Sequence, residues 1–549
     1  MKKIYKKLIY LLISILILLG IVYFASGFII KSLFSEKINE IRIDEIYRIN
    51  YKSAHINPFT FGVDIKGLEL IPDSSQEIQK LYKYHSILAH IQIKKIAIHQ
   101  IGLIHFLRTK ELNLDNIKIK KPIINVYKNS HFKKKKKSEK KEAPDTDVII
   151  TQLNDIQIND FSYSYYVKGN LISDFSFESL ILEFNHPTIN LSKIPDIRES
   201  IRFDDISTDM ENISIKNTKT HYHINLKDLH YNKQNSKLII HGFAFIPQLD
   251  KKAFAASHTY QSDRMNLNIS LIELLNIDIQ RFLKDKTICI KKMNVKGANL
   301  EVFRDKNYPI DLKKFPKLPQ QALRASKQKF EIDSIHIIHA NVVYLEKAEE
   351  TKKVGKIELR NINAKVTNMG NTKAWISKKK MVVNADFSLY DKGHIHTKLT
   401  FPLKANTFYY SGHLSKMSLS AFNPFTIPVA SLKIKSGETS KLDFQGSANN
   451  TFSSGDMDFY YHDLKVSLLK KPKKSGKAQE YKIVNYIANR MLIPNENPDK
   501  KGRFYHASID FERDKNKGFF NYLVKSILSG LKDTLITQEN KKNKKTKKE

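Results

Sequence analysis

Two histidine pairs, His221/His223 and His394/His396, are the first places where residue type and spacing suggest chemistry. Residues two apart on a β-strand project to one face. Each pair therefore offers two imidazoles side by side, half of a zinc or copper site. Neither has a cysteine or carboxylate at a diagnostic spacing, so both read as exposed strand histidines, and no metal ligands are expected. His85, His90, His336 and His339 have weaker claims. The chain contains no G-x-S-x-G, H-E-x-x-H, G-x-x-x-x-G-K-[ST] or G-x-G-x-x-G. That removes the common hydrolase, metalloprotease, P-loop and dinucleotide signatures. Carboxylates are plentiful, but no spacing couples two of them as acid and base. The expectation is a non-enzyme with no catalytic residue and no cofactor.

The elements that carry these residues are strands. Apolar and polar residues alternate at Val63–Lys66, Ile91–Lys94, Ile117–Lys120, Ile213–Lys216 and Ile288–Lys291, which is the period of a half-buried strand. Such sheets bury one face and wet the other, so a large, continuous apolar face is expected. A looser unit recurs at Leu114–Tyr127, Leu153–Tyr163, Ile288–Phe303 and Phe330–Tyr344: strand, short break, strand ending in an aromatic. The breaks (Lys121-Pro122, Asn159-Asp160, Lys296-Gly297, His339-Ala340) read as tight connections or bulges that re-aim the strand. Short helices are expected at Leu274–Asp285, Pro319–Lys329 and Ile483–Leu492. A clearer amphipathic helix spans Phe519–Ile536, with Phe519, Leu523, Ile527, Leu531 and Leu535 on one stripe and Phe520, Val524 and Leu528 beside it. It reads as a cap on the sheet core in preference to a membrane-surface helix.

Leu8–Ile30 is uncharged and long enough to cross a bilayer, and Leu8, Leu11, Leu12, Ile15, Leu19, Ile29 and Ile30 are its anchor residues. Lys2, Lys3, Lys6 and Lys7 precede it, which places residues 1–7 in the cytoplasm and the bulk of the chain across the membrane. A cleaved signal peptide ending at Ala25-Ser26-Gly27 is the rival, but the apolar run continues past that site. The remainder divides into a β-rich region at 31–515, interrupted by a disordered lysine-rich loop at 133–144, a helical segment at 516–537 and a disordered basic tail at 538–549. The formal net charge is +36, a diffuse excess that attracts anionic surfaces without choosing one. Location beyond a membrane and the lack of RNP, zinc-finger or bZIP patterns argue against nucleic acid. The single cysteine, Cys289, excludes an intramolecular disulfide framework.

Three stretches resemble the AsmA-like proteins of double-membraned bacteria. They are Asn57–Leu68 leading into Ile91–Tyr127, Leu419–Phe425 through Ile434–Gly437 to Leu442–Gly446, and Gly455–Leu464 through Asn485–Asn489 to Phe519–Leu531. The resemblance implies membership of the bridge-like lipid-transfer group. Its fold would be mainly β: a transmembrane helix, then an elongated, curled antiparallel sheet forming a trough, with few short helices. About twenty-five strands at ~4.8 Å each would make a trough on the order of 100 Å.

On that reading the protein sits in the inner membrane as a single-pass protein with its bulk in the periplasm. It binds phospholipid or another acyl lipid in an apolar groove and transfers it between the inner and outer membranes, with an outer-membrane partner expected, and so serves outer-membrane homeostasis. Ile117, Ile119, Ile213, Ile215, Ile288, Ile290, Val342 and Tyr344 are the expected groove lining. The competing expectation is a non-catalytic envelope assembly or scaffold protein whose sheet packs into a closed core.

Overall fold

The computed structural model describes residues 46–57, 62–75, 79–80, 82–102, 105, 108–109, 111–133, 149–190, 201–469 and 494–535. The expected anchor at Leu8–Ile30, the segment 1–7, nearly all of the lysine-rich loop, the helix at Ile483–Leu492 and the tail at 538–549 lie outside them. Among the described residues no helix is long and apolar enough to cross a membrane. The chain is mainly β and divides into two compact units, Met1–Gly242 and Phe243–Glu549, each described by itself.

The first unit contains β1 (Tyr47–Asn50), β2 (Ser53–Asn57), β3 (Gly62–Pro72), β4 (Ile87–Ile98), β5 (Glu111–Asn113), β6 (Asn116–Lys128) and β7 (Ile149–Gln152). It continues with β8 (Asp155–Val167), β9 (Asn170–Asn185), β10 (Thr188–Asn190), β11 (Ile201–Arg202), β12 (Asp205–Asn217), β13 (Tyr222–Asn232) and the first part of β14 (Lys237–Pro247), whose residues from Phe243 onward are counted with the second unit. Strands β3, β4, β6, β8, β9, β12 and β13 lie side by side in that order. β5, β7, β10 and β11 form a separate small sheet.

The second unit runs through β15 (Asp263–Ile277), β16 (Ile288–Asp305), β17 (Phe330–Lys347), β18 (Val354–Gly370), β19 (Lys380–Leu389) and β20 (Gly393–Pro402). β21 (Phe408–Leu414), β22 (Met417–Ser418), β23 (Leu432–Ala448), β24 (Phe452–Leu468) and β25 (Ala507–Glu512) complete it. Its helices are α1 (Lys251–Ala256), α2 (Ile279–Asp285), α3 (Pro319–Ala325), α4 (Lys373–Lys378), α5 (Asn423–Ala430) and α6 (Phe519–Thr534).

Expected antiparallel pairing holds for most neighbours, with two exceptions in the long strands: β6–β8 and β16–β17 run parallel. These pairs are the four recurring units, matched two by two. Ile117 faces Ile156 and Ile119 faces Ile158; Ile290 faces Ile332 and Val302 faces Tyr344. Parallel neighbours present the same pattern in the same direction, so the two units of each pair match residue for residue along the strands. The crossovers are residues 129–154 and 306–329; the second contains α3.

The breaks within those units are left-handed residues. In the first unit Gly67, Lys121, Asp160, Asn212 and Gly242 have φ between 50° and 63°. Pairing places Lys94 between Gly67 and Lys121, and Glu178 between Asp160 and Asn212. One crease thus crosses the strands. In the second unit Gly297, His339 and Asn361 continue the same device along β16, β17 and β18. Glycine takes this backbone without cost and asparagine tolerates it.

The backbone groups opened at the crease are stitched by side chains. Asn361 N–H donates to Asn341 Oδ1 at 3.1 Å, and His339 N–H donates to Asn363 Oδ1 at 3.2 Å. Asn212 donates from its side chain to Glu178.

The helices are fewer residues long than the sequence pattern implies. Leu274–Ile277 belongs to β15, and only Ile279–Asp285 is helical, because Asp278 caps the helix by accepting from Arg281 N. The helix beginning at Pro319 stops at Ala325 rather than Lys329. α1, α4 and α5 were not expected.

Candidate functional site

The crease explains how apolar side chains stay on one face. In each strand the parity of apolar residues changes there: Ile91 and Ile93 give way to Ile96 and Ile98, Ile117 and Ile119 to Ile124 and Val126, Met210 to Ile213 and Ile215. A left-handed residue advances the alternation by one. Directly paired residues share a face, so the intervening strands shift with their neighbours. The result in the first unit is a set of apolar rows running across the strands. One row is Ile65, Ile96, Ile119, Ile158, Leu180 and Met210, all half-buried. At the crease lie Phe161, Phe177 and Ile213, with Phe161 and Phe177 stacked at 4.7 Å between ring centroids. Ile213 pairs with Leu226.

Cover is uneven. The small sheet packs Ile150 and Ile189 with Leu114 and Leu153 against Ile98, Ile117, Ile156 and Phe184, the ends of the apolar rows. Among the described residues of the first unit, helical turns occur at Tyr82–Tyr84 and at Gln79, His105, Arg108 and Thr109. Every residue of the row through Ile119 is half-buried and so keeps some contact with solvent.

The eight expected lining residues consequently have different surroundings. Ile119 is half-buried in the uncovered row, and Ile215 is 38% exposed. Ile117 is packed beneath the small sheet, because Leu114 and Leu153 fold over it. Ile213, at 4% exposure, is enclosed at the crease beside Phe177, and Ile290, at 7%, is enclosed in the row Ile277, Ile290, Ile332 and Met369. Ile213 and Ile290 are buried core positions, whereas Ile117 is half-buried against the cluster of the small sheet. Ile288 and Val342 are half-buried. Tyr344 pairs with Val302 and Ile357. Its hydroxyl donates to Glu346 at 2.8 Å, with burial raising its phenol pKa well above the usual range. Arg304 and Asp263 form an ion pair beside it.

The second unit has a closed core. Phe401, Phe408, Tyr410, Met457, Phe459 and Ile509 are buried together, and α6 lies over β24 and β25. Phe519, Leu523, Ile527, Leu531 and Leu535 pack against this core, as the stripe implies. The innermost stripe is its neighbour, Tyr522, Ser526, Gly530 and Thr534. Small residues there let the helix sit close; a Cβ on Gly530 would lie 2.9 Å from Ile509 and Met457 side-chain atoms. Hydropathy misses this stripe because Ser, Gly and Thr do not register as apolar. On the outer side Phe520, Val524 and Leu528 are exposed, Phe520 at 77%, beside exposed Lys525 and Lys532.

The histidine pairs keep separate partners. His223 shares a hydrogen bond of 2.9 Å with Ser214, and burial lowers its pKa. His396 Nδ1 lies 2.7 Å from Asp386 Oδ1. Neither pair gathers a third ligand among the described residues, whereas Asp228, His230 and His241 do come together. The sequence reading passed over this trio. The signal was present: Asp228-x-His230 puts both on one strand face, and the tight turn at 233–236 folds His241 back beside them. No family model and no curated protein matches this chain.

Proposed function

We propose that this is a non-catalytic, membrane-anchored protein of the bacterial envelope that binds the acyl chains of phospholipid-like molecules along an apolar sheet face and passes them between the inner and outer membranes. One observation carries this reading: the half-buried row from Ile65 to Met210, which no helix covers among the described residues. An apolar face of that length is an aggregation hazard unless something occupies it, and a row of aliphatic side chains with no buried polar partner suits an acyl chain. Lysines on the alternate positions, such as Lys118 and Lys120, lie on the other face and leave the row uncharged.

The anchor at Leu8–Ile30 supports an inner-membrane location. The outward stripe Phe520, Val524 and Leu528 with Lys525 and Lys532 suits contact with an anionic bilayer. The closed core of the second unit favours the scaffold reading for that part of the chain alone.

The test is lipid mass spectrometry on full-length protein purified in mild detergent. Phospholipid above the detergent blank is expected. Protein carrying none would leave the self-packed scaffold as the better account.

A further inference from the structure

On the polar face of the first unit, the strands β12, β13 and β14 bring four side chains into one chain of contacts. Asp228 and His230 stand two apart on β13, and His230 is paired directly with Asp209 of β12. His230 Nδ1 bonds Asp209 Oδ1, which leaves Nε2 turned toward Asp228, 3.2 Å from its Oδ1. His241 of β14 meets the same Asp228 oxygen through Nδ1. The two rings stand 6.2 Å apart, edge to face. One atom from each of Asp228, His230 and His241 falls within 4.8 Å of the others. The three residues are half-buried, so ions and water reach them.

We propose that Asp228, His230 and His241 form a binding site for a divalent transition-metal ion of the zinc class. Two imidazole nitrogens and one carboxylate oxygen are the donor types such an ion takes. In a tetrahedron of zinc–nitrogen and zinc–oxygen bonds, neighbouring donors stand roughly 3.3 Å apart. The His230–Asp228 separation already matches that edge, and His241 needs a small outward shift. Asp209 holds the far nitrogen of His230, the carboxylate–histidine arrangement that fixes the ring with its other nitrogen toward the metal. Asp209 is a positioning residue and not a ligand.

With three protein donors, a bound ion would complete its coordination with water or an anion, which reach these half-buried residues. Binding ties β13 to β14 and, through Asp209, to β12. Gly242 immediately follows His241 and Lys227 immediately precedes Asp228, so the clamp sits on the crease. Two imidazoles sharing one carboxylate oxygen is also the geometry of a plain ion-pair cluster, and metal titration separates the two.

Chelator-treated full-length protein is titrated with zinc chloride by calorimetry, with a His230→Ala/His241→Ala double variant as the baseline for the other histidines. One equivalent above that baseline is expected. His241→Ala and Asp228→Asn each weaken binding at least about 100-fold, and Asp209→Asn weakens it about 10- to 100-fold with stoichiometry retained. His396→Ala leaves it unchanged. Circular dichroism checks the fold of each variant, and cobalt(II) absorption of the wild type gives a second readout, with visible bands of four-coordinate nitrogen and oxygen ligation expected. Wild-type binding equal to the double variant, or cobalt bands that persist in a folded double variant, overturns the proposal.

Discussion

The two units use the same alternating strands but dispose of the apolar face differently. In the second, β19–β25 carry a face that α6 closes, with Tyr522 and Phe408 almost wholly buried. In the first, the small sheet covers the ends of the rows and leaves the stretch through Ile119 and Ile158 half-buried. Alternation alone does not decide between a closed core and a lined groove. The covering element decides, and in the second unit it is a helix, Phe519–Thr534, that lies far beyond the strand Leu432–Ala448 in the chain.

Truncating the closed core is the largest expected perturbation. Phe408→Ala removes a fully buried ring and is expected to cost about 3–5 kcal/mol by the cavity rule, read as a drop in melting midpoint. Ile158→Ala in the first unit removes a half-exposed side chain and is expected to cost about 1 kcal/mol, since only part of its transfer free energy is at stake. Equal losses at the two positions would mean that the first unit is packed as tightly as the second.

The crease offers an intermediate effect. Gly242→Val places a branched side chain at φ 63° with its Cβ about 2.9 Å from that of Lys227. Strain in the left-handed region costs roughly 1–3 kcal/mol, so the first unit should lose stability by that order. Gly169, also left-handed but with open space around it, should show the backbone part alone when changed to Ala.

Much of this was legible in the residues. The period of two, the breaks at Lys121, Asp160, Gly297 and His339, and the packed stripe of α6 follow from local patterning, because turns and alternation are short-range physics. The parallel pairing of β6 with β8 and of β16 with β17 was not legible, since each partner is chosen by a crossover rather than a hairpin. Burial of Ile213 and Ile290 was equally hidden, because what covers a face comes from elsewhere in the chain. Of the Asp228–His230–His241 cluster, the Asp228-x-His230 spacing and the turn at 233–236 were legible, whereas the exact hairpin register that sets His241 against Asp228 was not.

A smaller effect belongs to the edge of the first unit. Arg48 donates to Asp73 at 2.9 Å and, with the Ser75 N–H, holds its carboxyl down to about 2. A depressed carboxyl stabilises the fold above its unfolded value, near 3.9, and that contribution is lost as pH falls from there through about 2. Asp73→Asn should therefore be less stable than wild type at neutral pH, and the difference should close between pH 4 and pH 2 in melts taken across that range.

The central claim, that acyl chains occupy the uncovered row, is tested most directly by a photocrosslinking residue placed at Ile119 and, separately, at Lys118 on the opposite face of the same strand. Irradiated in membranes, the account predicts phospholipid adducts at position 119 and none above background at 118. Adducts at neither position, or equally at both, would contradict an acyl-chain site on that face.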